Sequence, residues 1–158
     1  MLNLLYTYPE TIVDGEGIRY SIYLAGCRHH CPGCHNPESW NPQAGTPLTQ
    51  EKIAEIINEI NANPLLDGIT FSRGDPFYNP EGFLSLVKAI KEGTELNVWC
   101  YTGYTYEQIK EDEKLYAVLP YIDVLVDGRF IEAEYSPYLE FRGSRNQRVI
   151  QVTKKNEQ

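Results

Sequence analysis

The sequence predicts a single α/β domain on a mostly parallel sheet. Short apolar strand-like runs alternate with helix-like segments along the whole chain. The joints between them are short and rich in Gly, Pro and Asn. A length of 158 residues with 42% hydrophobic content is enough for one core but short for an eight-unit barrel. The first strand is expected at 20–25, where an apolar run ends at a cysteine-bearing loop. A turn-rich stretch at 37–47, carrying Trp40, comes after it. Thr49 then caps a helix with Ile53, Ile56, Ile57 and Ile60 on one face, and Asn63-Pro64 ends it. The second strand is expected at Gly68–Ser72. Asn79-Pro80 opens a helix bearing Phe83, Leu84, Val87 and Ile90, which Gly93 stops. The third strand is expected at 95–101. Thr105 and Gln108 have capping-box spacing and start a helix running toward Leu119-Pro120. A fourth strand at 123–126 and a last one at 148–152 complete the set, and the polar tail at 154–158 is expected to fray. Strands alternating with helices imply crossover connections around a parallel sheet. The loops after the strands then gather at its carboxyl end, where such sheets bind ligands.

Composition narrows the function classes. The net charge of −8 argues against a phosphate backbone as partner, so no nucleic acid is expected. No apolar run approaches the length of a membrane span, so no membrane is expected either. The N-terminus lacks a basic segment followed by an apolar one, so the chain is expected in the cytoplasm with its four cysteines reduced. Twelve tyrosines are many for this length and suit a wet protein interface.

The chemistry lies in the run Gly26-Cys27-Arg28-His29-His30-Cys31-Pro32-Gly33-Cys34-His35-Asn36. Cys27, Cys31 and Cys34 put three thiolates within reach of one metal centre with no fourth cysteine nearby. That is the ligand set of an iron–sulfur cluster with one open iron, and an open iron can bind substrate. The alternative is a zinc site completed by His35, although adjacent ligands are sterically awkward. His29, His30 and His35 read as solvated residues of a polar loop, and Cys100, on an expected strand, as a small core residue.

The spacing Cys27-x3-Cys31-x2-Cys34 resembles the signature of radical S-adenosylmethionine enzymes. The fuller run from Cys31 through Asn36-Pro37-Glu38-Ser39-Trp40 resembles the activating proteins of anaerobic (class III) ribonucleotide reductase. Further matches span nearly the whole chain: Asp14-Gly15 with Gly17-Ile18-Arg19, Gly74-Asp75-Pro76, Tyr101-Thr102-Gly103-Tyr104-Thr105, Asp127-Gly128-Arg129-Phe130, and the segment from Arg142-Gly143-Ser144 to Arg148.

The resemblance implies a single radical-SAM domain over 1–158, an incomplete (β/α) barrel holding a [4Fe-4S] cluster on Cys27, Cys31 and Cys34. It further implies that S-adenosylmethionine chelates the fourth iron. One-electron reduction then cleaves it to methionine and a 5′-deoxyadenosyl radical, which removes a hydrogen from a glycine of the large catalytic reductase subunit. A low-potential electron donor such as flavodoxin is implied, since the potential lies toward the negative end of the roughly −700 to +450 mV range of such clusters. The implied cofactor contacts are Gly33, Asn36, Arg73, Gly74, Asp75 and Asp127, with Asn36 and Trp40 walling the cluster. Other readings are an activase of the pyruvate formate-lyase kind, small-molecule radical chemistry such as deazaguanine synthesis, or a non-catalytic metal-binding interaction module. Two positions depart from the family pattern: Arg73 stands where the first glycine of a pair is usual, and Glu16 where proline is. A long cation at 73 is expected to intrude on the cofactor. The basic segment from Arg142 to Arg148 is expected either to be a solvated loop or to dock the partner or the cofactor carboxylate.

Overall fold

The fold is described by a computed structural model covering residues 2–34 and 37–152, apart from the Glu38 side chain. Seven strands form one sheet: β1 (Asn3–Thr11), β2 (Arg19–Leu24), β3 (Thr46–Pro47), β4 (Gly68–Ser72), β5 (Asn97–Tyr101), β6 (Val124–Asp127) and β7 (Arg148–Gln151), in the order β3-β1-β2-β4-β5-β6-β7. The β2, β4, β5 and β6 strands run parallel. At one edge β1 pairs antiparallel with both β2 and β3, and at the other β7 pairs antiparallel with β6. The expected mostly parallel sheet is therefore mixed, and it ends in open edges rather than closing on itself. The antiparallel strand β1 has no counterpart among the strands that the sequence predicts.

The register sorts the parallel strands' side chains onto two faces, because successive residues of a strand point opposite ways. Tyr20, Ile22 and Leu24 share one face with Ile69, Phe71, Val98, Cys100 and Leu125, and these residues form the main core. Helix α1 (Gln50–Asn61) covers this face with Ile53, Ile56 and Ile60, and α2 (Pro80–Gly93) with Phe83, Leu86, Val87 and Ile90. Their caps obey the expected chemistry: the Thr49 side chain accepts from the Lys52 amide, and that of Asn79 from the Gly82 amide. Phe83 lies edge-on to Phe71 and Phe77, and burial of each such ring is worth roughly 1.5–3 kcal/mol. Cys100 sits in this core, fully buried.

The long third helix expected from the sequence is broken. The α3 helix (Tyr106–Glu111) keeps its expected Thr105 and Gln108 capping box, but Asp112 is extended and caps a new short helix, α4 (Glu113–Tyr116), through the amides of Lys114 and Leu115. An Asp side chain that hydrogen-bonds two residues ahead competes with helix continuation.

The opposite sheet face carries Arg19, Ser21, Tyr23, Thr70, Ser72, Trp99, Tyr101, Val124 and Val126. Arg19 is buried at the amino end of the parallel strands. Its guanidinium donates to Thr70 Oγ1 at 2.7 Å, the Glu16 carbonyl at 2.9 Å and Asn97 Oδ1 at 2.6 Å, and burial lowers its pKa to about 10. A Cβ at Gly68 would stand 2.3 Å from Arg19 Nη2, so only glycine leaves room for this plug. The Gly17-Ile18-Arg19 motif thus locks the end of the sheet remote from the cysteine loop.

Candidate functional site

The cysteine loop leaves β2 at its carboxyl end. The Gly26 amide donates to the Ser39 carbonyl at 2.7 Å and the Cys27 amide to the Trp40 carbonyl at 3.3 Å, tying the loop to the 3-10 turn Pro37–Trp40. The Cys34 amide donates to the Cys31 carbonyl at 3.0 Å, which closes the second half into a turn. All three thiols then line one cavity, together with Trp40, Ser72, Arg73, Gly74, Thr102, Gly103, Gly128 and Phe130. The loops after β2, β4, β5 and β6 thus converge at the carboxyl end of the parallel strands, as the alternation of elements predicts. Burial raises the Cys27 thiol pKa.

Gly74 is required by close approach. A Cβ there would stand 2.6 Å from the Leu24 carbonyl oxygen and 2.7 Å from that of Gly26, so the loop after β4 rests directly on the end of β2. The preceding Arg73 has φ of +61°, the left-handed region that favours glycine. Its guanidinium lies over the Tyr23 ring, 4.5 Å from the centroid, on a wall shared by the cysteine cavity and a groove lined by Ile12 and Val13.

Asp75 is buried, and its carboxylate accepts from the Phe77 amide, the Thr102 hydroxyl and the Gly103 amide, each at 2.9 Å, and meets His29 Nε2 at 2.7 Å. The carboxylate therefore joins loops rather than facing the cavity. His29 is not solvated, and His30 stacks on Trp40 with 4.4 Å between centroids. Asp127 is likewise buried. It accepts from the Tyr106 amide at 2.8 Å and from Arg148 Nε at 3.1 Å, leaving its neighbour Gly128 to line the cavity. Gly33 turns the chain between Cys31 and Cys34 with φ of +76°, close against Glu132. Asn36 and His35 lie outside the described residues. Two of the three arginines of the basic segment have partners within the fold, and Arg145 is exposed. Arg148 pairs with Asp127 and Glu107, and Arg142 Nη1 donates to the Gln147 carbonyl at 2.7 Å.

On the second sheet face Asp14 accepts from the hydroxyls of Ser21, at 2.9 Å, and Tyr23. Burial, reinforced by Asp14, pushes the Tyr23 pKa up to about 12. Neither this cluster nor the His29–Asp75 contact is legible in the sequence. The partners of the latter are 46 positions apart and carry no local signal.

Among the described residues no three His, Cys, Asp or Glu side chains are gathered tightly enough for a single metal ion. An iron–sulfur cluster asks for less proximity, since each thiolate binds its own iron. The donor set fits such a group: three soft sulfurs line the cavity, Cys100 is buried in the core and is not part of the lining, and the buried Trp40 indole N–H, without a partner among the described residues, stands on the wall.

Comparison with known proteins agrees. The family described as "4Fe-4S single cluster domain" matches residues 13–150. The anaerobic ribonucleoside-triphosphate reductase-activating protein of Pasteurella multocida is 38% identical over 156 residues, covering 96% of this chain and 99% of its own. The chain belongs to the anaerobic ribonucleoside-triphosphate reductase-activating proteins. Within this family the Escherichia coli K12 protein is 37% identical over 152 residues, 94% of this chain and 97% of its own. That of Enterobacteria phage T4 is 35% identical over 145 residues, 90% and 89% of the two chains. Similarity over nearly the full length of each relative means that the whole fold described above is shared ground for the family's activity.

Proposed function

We propose that this chain is a radical S-adenosylmethionine activating enzyme that installs the glycyl radical on the large catalytic subunit of anaerobic ribonucleotide reductase. The observation that carries this reading is the convergence of Cys27, Cys31 and Cys34 on one cavity with the Gly74 and Gly103 turns, in a chain that aligns over almost its full length with reductase-activating proteins. The three thiolates would hold a [4Fe-4S] cluster and leave its fourth iron to S-adenosylmethionine. When bound, these groups supply a one-electron reductive cleavage of the sulfonium, ending in methionine, 5′-deoxyadenosine and a glycyl radical on the partner.

The chain's own contribution is position and exclusion. The Gly74 turn brings backbone rather than side chain to the cavity, so polar main-chain atoms can meet the methionine moiety. Gly128 leaves the wall open in the same way, a Cβ there meeting nothing nearer than 3.6 Å, whereas Gly103 makes room for the His29 ring. Trp40, Tyr101 and Phe130 supply apolar surface that keeps water from the reacting centre. Asp75 and Asp127, buried and saturated with donors, fix the loops that present Gly74, Gly103 and Gly128 instead of touching the cofactor through their carboxylates. The domain is an incomplete radical-SAM barrel whose polar inner face holds Asp14, Tyr23 and Tyr101. A low-potential donor such as flavodoxin supplies the electron, and the reaction belongs in the cytoplasm. Among the described residues no helix is long and apolar enough to cross a membrane.

Anaerobic reconstitution with iron and sulfide tests this. The protein should turn brown and, given a reductant, cleave S-adenosylmethionine to methionine and 5′-deoxyadenosine. Cys27→Ala, Cys31→Ala and Cys34→Ala should each lose the colour, while Cys100→Ala keeps it at a packing cost of about 1 kcal/mol. A colourless, zinc-loaded protein would remove the reading.

A further inference from the structure

The span between Cys27 and Cys31 is three residues long and has no secondary structure of its own. Backbone hydrogen bonds hold its surroundings: the Cys27 amide is tied to Trp40, and the turn from Cys31 to Cys34 closes on itself. In the middle, the Arg28 side chain lies exposed over the Tyr78 ring and His30 stacks on Trp40. Among the described residues His29 is the one of the three that reaches a buried polar partner. Its side chain is 12% exposed, and Nε2 lies 2.7 Å from Asp75 Oδ2, which is itself 2% exposed.

The other donors to Asp75 are Phe77, Thr102 and Gly103, all from the loops after β4 and β5, so His29 is the member that brings the cysteine loop into the knot. The rest of the ring is seated as closely. A Cβ on Gly103 would stand 2.4 Å from His29 Cδ2, and Tyr104 meets the ring edge-on at 4.8 Å. Arg129 Nη2, from the loop after β6, donates to the His29 carbonyl at 3.2 Å. With N–H and O–H donors already on the carboxylate, the His29 contact is completed by a proton on Nε2.

We infer that His29 is a positioning residue which, through Asp75, fixes the Cys27–Cys31 span against the Gly74 turn and so sets how tightly S-adenosylmethionine is held, without being needed to hold the cluster. This rests on the function proposed above. The physical reason is that S-adenosylmethionine must meet the open iron and the Gly74 backbone at once. Those two walls belong to different loops. The Asp75 amide joins them just ahead of Cys27, donating to the Gly26 carbonyl at 2.6 Å, and among the described residues the contact of His29 with the Asp75 carboxylate is the side-chain tie that reaches inside the Cys27–Cys31 span. Partners of this outer kind commonly shift affinity 10–100-fold when removed.

Two variants separate the hydrogen bond from the packing. His29→Phe keeps a ring against Gly103 and Tyr104 but has no donor, whereas His29→Gln places an amide nitrogen near the position of Nε2. In the reconstituted protein, S-adenosylmethionine is titrated and followed by the paramagnetic resonance spectrum of the reduced cluster. His29→Phe should weaken binding roughly tenfold or more with unchanged iron content, and His29→Gln should recover to within about threefold of the parent. In the cluster-free chain, amide hydrogen exchange at residues 27–31 should quicken in His29→Phe and return in His29→Gln. Equal affinity in all three proteins overturns the inference, as does loss of iron that His29→Gln does not restore. If the parent itself failed to bind S-adenosylmethionine, the proposed function would fall, while the exchange rates would still decide whether His29 fixes the loop.

Discussion

Arg148 clamps Asp127. The guanidinium at the start of β7 reaches the carboxylate at the end of β6 with Nε 3.1 Å from Oδ1, and extends to Glu107 on α3 with Nη2 2.7 Å from Oε1. Asp127 is 1% exposed, so removing the cation strands a buried carboxylate. Breaking a fully buried pair costs about 3–5 kcal/mol; here the Arg148 side chain is 47% exposed, so Arg148→Ala should cost about 2 kcal/mol, read by denaturant unfolding. Hydrogen bonding from Arg148 also holds the Glu107 carboxyl below its ordinary range. That contribution is present above about pH 4.3 and is lost as pH falls through the lowered value, so Arg148→Gln should flatten the acid limb of the stability curve. An unchanged acid limb would mean that the pair contributes nothing in solution.

Tyr23 should contribute to a loss of stability at alkaline pH. Its pKa is raised to about 12 by burial and by Asp14, so the fold favours the neutral phenol. Stability should hold to about pH 10, the ordinary tyrosine value, and fall as pH rises from there through 12. Tyr101, Tyr20 and Tyr104 are raised in the same direction, so the loss is shared among four phenols. Tyr23→Phe should make the decline shallower, measured as unfolding midpoint against pH; an identical decline would place the titration elsewhere.

Arg73→Gly should tighten S-adenosylmethionine binding several-fold. The left-handed backbone costs a non-glycine residue roughly 1–2 kcal/mol, and a cation on the cavity wall repels the sulfonium and ammonium of the cofactor. Loss of the stack on Tyr23 costs about 0.5–1 kcal/mol, so global stability should change by about 1 kcal/mol or less. Weaker binding by the glycine variant in calorimetric titration would show that Arg73 pairs with the cofactor carboxylate instead.

The legible parts of the fold are those whose signal is local. Ile53, Ile56 and Ile60 announce α1 by their spacing, and the apolar runs of β4, β5 and β6 stand at or within two residues of their expected positions. Strand β1 is hidden in the sequence because its burial is patchy, Pro9 interrupts its propensity, and its exposed Tyr6 and Tyr8 look like surface residues until they meet Tyr23 edge-on across the ladder. The α3–α4 break has a local sign in Asp112, whose side chain caps the second helix, but the capping box and apolar spacing around it read as one longer helix. In the site, the cysteine spacing is a chemical pattern within eight positions, whereas the roles of Asp75, Asp127 and Arg148 depend on which loops the sheet brings together. Taken as sequence, the basic segment reads as a solvated loop or a docking surface; in the fold Arg148 pairs with Asp127 and Glu107 and Arg142 with a carbonyl of its own loop, while Arg145 stays exposed.

In the proposed function this cavity makes a radical on a partner's glycine. The most direct test mixes the anaerobically reconstituted chain with the large reductase subunit, S-adenosylmethionine and a low-potential reductant, and records the paramagnetic resonance spectrum alongside the yield of 5′-deoxyadenosine. A glycyl radical signal on the large subunit is expected, growing with 5′-deoxyadenosine and absent with Cys31→Ala. Cleavage of S-adenosylmethionine that never yields a protein glycyl radical, or a radical formed equally well by Cys31→Ala, would contradict the proposed function.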